Sequence, residues 1–135
     1  MKNHKCRTYF RIIGDIEANE LLSILNVKAD KIINKGDVNP RSQKVWEYND
    51  VEIGFNDKYN VDINEMIRET LKNLIPQAET LSKLKKEYNL GYYLVLVPEI
   101  YSDSDEPKQY LSLERDIIEF LYLTETDIDL DYYVY

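Results

Sequence analysis

From residue 126 to residue 135 polar and apolar side chains alternate, sending Asp127, Asp129 and Asp131 to one side and Ile128, Leu130, Tyr132 and Val134 to the other. Successive side chains of an extended chain leave from opposite faces, so the pattern predicts a half-buried β-strand with a row of carboxylates toward water. Closing the sequence, this strand is expected to tie the terminus into a sheet rather than let it fray. A second alternating run, residues 6–13, predicts an opening strand with Cys6, Thr8, Phe10 and Ile12 toward a core and Arg7, Tyr9 and Arg11 away from it. Gly14 and Asp15 end that strand, and Asp15 stands where it could cap a helix whose Ala18, Leu21, Leu22 and Leu25 recur at helical spacing up to Asn26.

Residues 27–44 break the periodicity. They carry Lys28, Lys31, Lys35, Arg41 and Lys44 together with Gly36, Asp37 and Pro40, and read as a basic connecting loop. Residues 45–48 and 51–55 are β-prone pieces around Asn49 and Asp50, which predicts one bent strand. From Asp62 onward Ile63, Met66, Ile67, Leu71 and Leu74 follow helical spacing until Pro76, which lacks a backbone donor and obstructs the preceding turn. Pro76 can open a further helix carrying Leu81, Leu84 and Tyr88, stopped by Asn89 and Gly91. Residues 92–97 are apolar on both faces, the signature of an interior strand covered twice or covered by a partner molecule. A polar loop over 102–107 then precedes a helix with Ser112 as its cap and Leu113, Ile117, Phe120 and Leu121 on its inner side.

The order is βαβ, a two-part helical linker, and βαβ. It predicts one α+β domain over residues 1–135: a four-stranded sheet with helices mainly on one face, loosely ferredoxin-like.

Several local words match a known family. The strand Arg7-Thr-Tyr-Phe-Arg11, the Leu21-Leu22 helix, Lys35-Gly-Asp37, Trp46, the Leu81-Ser-Lys-Leu84 helix and the closing run from Asp127 to Tyr135 are carried in the same order. The chain therefore resembles the bacterial domain-of-unknown-function family 4279 over nearly its whole length. The resemblance implies a small α+β bacterial cytoplasmic protein and brings no activity, so it carries over no catalytic positions.

Composition narrows the function classes. With 44% hydrophobic and 31% charged residues, four Gly and four Pro, the chain has the make-up of an ordinary globular protein. The longest apolar run is far shorter than the roughly 20 residues a membrane helix needs, and the polar start lacks the apolar core of a signal peptide, so a cytoplasmic protein with no membrane partner is expected. The single Cys6 allows no internal disulfide and suits a reducing compartment. The net charge is −8, unevenly placed: residues 1–48 hold nine Lys/Arg against six Asp/Glu, and residues 99–135 two against eleven. An acidic total weakens phosphate-driven binding, so no nucleic-acid partner is expected, and it favours a cationic one.

Motifs for chemistry are missing. His4 and Cys6 are two ligands where a structural zinc site needs four, and Cys6 falls on the apolar face of its strand. Asp127, Asp129 and Asp131 have the spacing of a calcium loop, but Tyr132 stands where that loop requires Gly. Asp103, Asp105 and Glu106 could hold Mg²⁺ only weakly in a plain surface loop, and the isolated glycines form no phosphate cradle. Trp46 and Tyr48 beside the basic loop could stack a base, yet no nucleic-acid module surrounds them. No catalytic, cofactor or metal residues are assigned.

The interpretation that remains is a non-enzymatic protein-binding module, recognising its partner through a sheet face or the acidic C-terminal region. One concrete form is an immunity-type inhibitor masking a cationic toxin domain. The contact candidates are Asp127, Asp129 and Asp131 for charge, Trp46 and Tyr48 as aromatic anchors, and Arg7 and Arg11 on the outward face of the first strand. The alternatives are a small enzyme or accessory subunit using Trp46, Arg7 and Arg11 in a sheet-edge cleft, and a homodimer joined along a strand.

Overall fold

β1 (Lys5–Gly14) buries Cys6, Thr8, Phe10 and Ile12 and leaves Arg7, Tyr9, Arg11 and Ile13 half-exposed. Alternation at period two on a strand covered from one side gives this result directly. The structure is a computed structural model describing residues 3–107 and 111–135; Met1 and Lys2, the beginning of the polar start, lie outside the described residues. After β1 the chain forms α1 (Ala18–Leu25), β2 (Lys31–Ile33), β3 (Asn49–Tyr59), α2 (Ile63–Leu71), a 3-10 turn (Ile75–Gln77), α3 (Ala78–Tyr88), β4 (Gly91–Ile100), α4 (Arg115–Leu123), β5 (Asp127–Leu130) and β6 (Tyr133–Val134).

Among the described residues the sheet has six strands where four were expected, in the order β2-β3-β1-β4-β5, with β6 also paired to β4. The extra members are short: β2 arises inside the expected basic loop by pairing Lys31 with Glu52, and the final strand breaks into β5 and β6. β1 runs antiparallel to both β3 and β4, and only β4 with β5 and β6 is parallel. The second half is thus a βαβ unit and the first is not, which removes the expected pair of βαβ halves and the ferredoxin-like arrangement. Gly14 at the end of β1 pairs with Asn49 at the start of β3, so the intervening chain leaves and re-enters at one end of the sheet. Antiparallel neighbours need no crossover.

Helices cover one face. Phe10 and Ile12 of β1, Val51 and Ile53 of β3, and Tyr92, Leu94 and Leu96 of β4 form one apolar cluster with Leu21 and Leu25 of α1, Met66, Ile67 and Leu71 of α2, Leu81 and Leu84 of α3, and Ile117 and Phe120 of α4. Phe10 is at its centre, its ring 5.7 Å from Tyr92 and 6.2 Å from Phe120. Tyr92 reaches through this layer to donate to Leu81 O at 2.7 Å, satisfying its buried hydroxyl.

Some local signals set the helix ends and others do not. Asn26 and Asn89 end α1 and α3 in the left-handed region at φ 51° and 52°, as their positions predicted. Asp62 caps α2 by accepting from Asn64 N–H at 2.8 Å. Asp15 caps nothing: Glu17 is the first residue of the α1 cap, and Asp15 pairs with Lys35 at 3.4 Å. Glu114 replaces Ser112 at the start of α4. The closing residues are tied in as expected, Tyr135 N–H donating to Ile100 O at 2.8 Å and Ser102 N–H to Tyr135 O at 2.9 Å.

The expected half-burial of the last strand does not hold. Ile128, Leu130, Tyr132 and Val134 are all exposed, because α4 packs inward on Phe10 and α3 and the helical layer stops short of β5.

Candidate functional site: the open face of the sheet

Opposite the helices the described residues form no second layer on the sheet, and one corner is walled by a hairpin built from the expected loop. After β2, Asp37 Oδ2 accepts from Asn34 N–H at 2.8 Å, and Gly36, at φ +95°, turns the chain. The two arms are then joined by Gly36 N–H to Trp46 O and Trp46 N–H to Asp37 O, each 2.8 Å, by a bridge between Val38 and Val45, and by Asn39 N–H to Lys44 O at 2.8 Å. Residues 45–48, expected as the first half of a bent strand, belong to this hairpin and its return. Asn49 anchors the base, accepting from Lys35 N–H and donating to Ile16 O, both at 2.8 Å.

Between hairpin and sheet lies a cleft of about 400 Å³. Its floor is Arg11, Ile13 and Asp50, and its wall is Lys44, Val45, Trp46 and Tyr48. Arg11 grips Asp50 as a fork, Nε to Oδ1 and Oδ2 at 3.1 and 3.0 Å and Nη2 to Oδ2 at 2.6 Å. Asp50 is only 5% exposed, and its hydrogen bonds hold the Arg11 guanidinium above its ordinary range. Burial likewise pushes the neighbouring Glu52 carboxyl up. A buried carboxylate neutralised by a bidentate arginine is a structural clamp with its lone pairs engaged, poorly suited to accept a substrate proton. No histidine or cysteine lines the cleft.

From the cleft the open face runs along β1 to the other end of the sheet. Tyr9 lies against Phe55 at 6.2 Å, and Lys5 pairs with Asp57 at 3.3 Å. At the far end Tyr101 and Tyr135 stack at 5.1 Å, Tyr133 stacks on Tyr135 at 6.5 Å, and Tyr133 donates to Asp131 Oδ2 at 3.1 Å. Arg7 sits between these groups, its Nε buried without a hydrogen-bond partner among the described residues. Val95 and Val97 of β4, whose apolar character suggested cover on both sides, are buried although the described residues form no second layer over them. In register Tyr9 flanks Val95 and Arg7 flanks Val97.

Register brings the expected contact residues onto this one face. Trp46, Tyr48 and Arg11 meet in the cleft. Arg7 follows four residues back along β1. Arg11 pairs with Tyr93, which pairs with Asp127, and Tyr9 pairs with Val95, which pairs with Asp129, so both carboxylates lie two strands across from β1 on the same side. Asp131 stands in the break between β5 and β6. The tyrosine cluster at the far end was not foreseen, although the odd-numbered positions of the final alternation contain Tyr133 and Tyr135. His4 immediately precedes β1. It is buried, its Nδ1 accepting from Tyr101 N–H at 3.1 Å, its carbonyl accepting from Asn60 N–H at 3.0 Å, and its Nε2 without a hydrogen-bond partner among the described residues. Among the described residues no group of three His, Cys, Asp or Glu could hold a metal ion, and no helix is long and apolar enough to cross a membrane.

The family described as Domain of unknown function (DUF4279) matches residues 4–135. The chain belongs to this family. Membership spans β1 through β6, so hairpin, open face and closing strands all fall within the family's domain. No curated protein and no solved structure matches the chain.

Proposed function

We propose that this DUF4279 protein is a non-enzymatic protein-binding module whose contact surface is the open face of the sheet, and that its partner is cationic. The supporting observation is the run of aromatic side chains on an uncovered sheet: Trp46 and Tyr48 at one end, Tyr9 with Phe55 in the middle, and Tyr101, Tyr133 and Tyr135 at the other. Arg7 lies among them, with no ion pair among the described residues. Large rigid aromatics and arginine dominate the energetic centres of protein interfaces, since they bury much area for little lost rotamer freedom. Asp50, Glu52, Asp57, Glu99, Asp127 and Asp129 outnumber Lys5, Arg7, Arg11 and Lys58 on β1, β3, β4 and β5, which fits a basic partner. An immunity-type inhibitor that masks a cationic toxin domain is one form of this function. It suits the cytoplasm, where the buried thiol of Cys6 stays reduced.

The test is binding to the product of the adjacent gene, with stopped-flow association measured across salt. Electrostatic steering predicts slower association at higher ionic strength. Trp46→Ala and Tyr9→Ala should each weaken the complex by about tenfold or more, as interface anchors do. Tyr122→Ala, 80% exposed on α4 on the helical side, should leave it unchanged. Trp46 lies outside the core cluster, so its substitution should cost about 1 kcal/mol of stability or less. Equal affinities for all three variants would refute the assignment of the open face.

A further inference from the structure

The free edge of the sheet offers a separate contact with its own chemistry. Among the described residues β5 pairs only with β4, and no strand lies beyond it. Asp131 N–H donates to Leu96 O at 2.9 Å, which fixes the phase of the parallel ladder. In such a ladder alternate residues turn both main-chain groups to the same neighbour, so Asp127, Asp129 and Asp131 face β4 and the N–H and C=O of Ile128 and Leu130 face outward. Among the described residues no main-chain hydrogen bond covers that outer side. The side chains are uncovered as well, Ile128 being 39% and Leu130 52% exposed. Beside them opens an apolar groove of about 160 Å³ between Leu130, Tyr132, Leu111, Ile63 and Pro98.

We infer that β5 receives an added strand from the partner, an extended segment in which lysine or arginine alternates with apolar residues. This deepens the protein-binding function proposed above and rests on it. Added main chain would bond to the two outward residues of β5, which lie about 6.6 Å apart. Every second side chain would then meet Ile128, Leu130 and the groove on the helical side. The side chains between them would meet Asp127 and Asp129 on the open side, and that position selects cations. The same carboxylates oppose a second copy of this chain. Self-pairing along β5 would set Asp127 and Asp129 of one molecule across from those of the other at roughly 5 Å, where like charges destabilise a sheet.

The probe is a short capped peptide alternating lysine and valine, with amide hydrogen exchange of the intact protein as the readout. Bound peptide should slow exchange at Ile128 and Leu130 and leave Trp46 and the hairpin unaffected. A peptide alternating glutamate and valine, or the lysine peptide with its pairing amides N-methylated, should protect neither residue. The triple variant Asp127→Asn, Asp129→Asn, Asp131→Asn should bind the lysine peptide about tenfold more weakly, and its far-UV spectrum and melting curve establish that it folds. Protection absent from Ile128 and Leu130, equal binding of both peptides, or a protein that light scattering finds already dimerised through β5 would overturn the inference. Those outcomes leave the open-face contact standing, because its anchors Trp46 and Tyr9 lie outside β5. Loss of partner binding on changing those anchors says nothing about peptide protection.

Discussion

Gly54 is where β3 comes closest to the helical layer, and the approach leaves no room for a side chain. Its φ is +69°, and a Cβ built on it would lie 2.4 Å from Thr70 O and 3.0 Å from Thr70 Cα. The register between β1 and β3 slips here, Thr8 pairing with Asn56 and Phe10 with Ile53, as a bulge requires. Thr70 closes the gap by donating to Gly54 O at 2.7 Å and sharing a 2.7 Å hydrogen bond with Thr8. Gly54→Ala adds left-handed strain to a clash with backbone, and should cost about 3–4 kcal/mol in denaturant unfolding. Gly36→Ala carries similar strain at φ +95° but meets nothing within 4 Å, and should cost about 1–2 kcal/mol. Cys6 gives a second test at this scale. Burial pushes its thiol up to about 11 and leaves it 0% exposed, so alkylation at pH 8 should proceed only as fast as the molecule opens. Prompt labelling of the folded protein would contradict that burial.

At the scale of elements, the inward residues of β1 and the stripes of α1, α2 and α4 were legible because each belongs to an element covered along one side, where alternation or helical spacing must match the cover. β5 shows the boundary of that inference. Alternation told which residues share a face with Leu94 and Leu96, but whether a helix covers that face depends on where α4 packs, and α4 sits over Phe10. β2 was illegible for another reason: three residues inside a basic stretch carry no period, and they extend because Glu52 and Val51 are there to pair with. Strand order was likewise invisible, since it follows from which ends meet rather than from local pattern. The cleft was half legible. Trp46, Tyr48 and Arg11 stood out as residue types, while the buried Asp50 that engages Arg11 did not.

Arg68 ties α2 to the start of α4, donating to Asp116 Oδ2 and Oδ1 at 2.7 and 3.0 Å and pairing with Glu114 at 3.0 Å. Its hydrogen bonds hold the Asp116 carboxyl below its ordinary value of 3.8. A carboxylate depressed by folding contributes stability above its unfolded pKa and loses it as pH falls through the folded one. Arg68→Ala should therefore lower Tm at pH 7, and the difference from wild type should narrow as pH drops below 3.8. A gap that persists unchanged in acid would mean that the arginine acts through its packing alone.

For the whole molecule the sharpest pH response is expected at the alkaline end, because tyrosine is plentiful, with twelve in the chain, and because folding holds several of them neutral. Tyr92 is the extreme case: burial alone drives its phenol far above the ordinary value of 10.0. Tyr9 is raised chiefly by burial, Tyr133 by its bond to Asp131, and Tyr88 by its bond to Glu20. A group whose pKa rises on folding contributes stability that is complete below its unfolded pKa and drains away as pH climbs toward the folded one. Each of these phenols acts in that sense, and Lys5, raised by Asp57, acts with them. Stability should thus fall steadily above about pH 10, and absorbance of ionised tyrosine should rise in one slow group and one fast group, with Tyr92 ionising only as the fold is lost. Tyr92→Phe separates the causes. At neutral pH it should cost about 1 kcal/mol, removing the hydroxyl's bond to Leu81 O, while the alkaline decline becomes shallower. An equally steep decline in that variant would locate the alkaline weakness elsewhere, in the repulsion of a chain already at −8 that gains further negative charge as its tyrosines ionise.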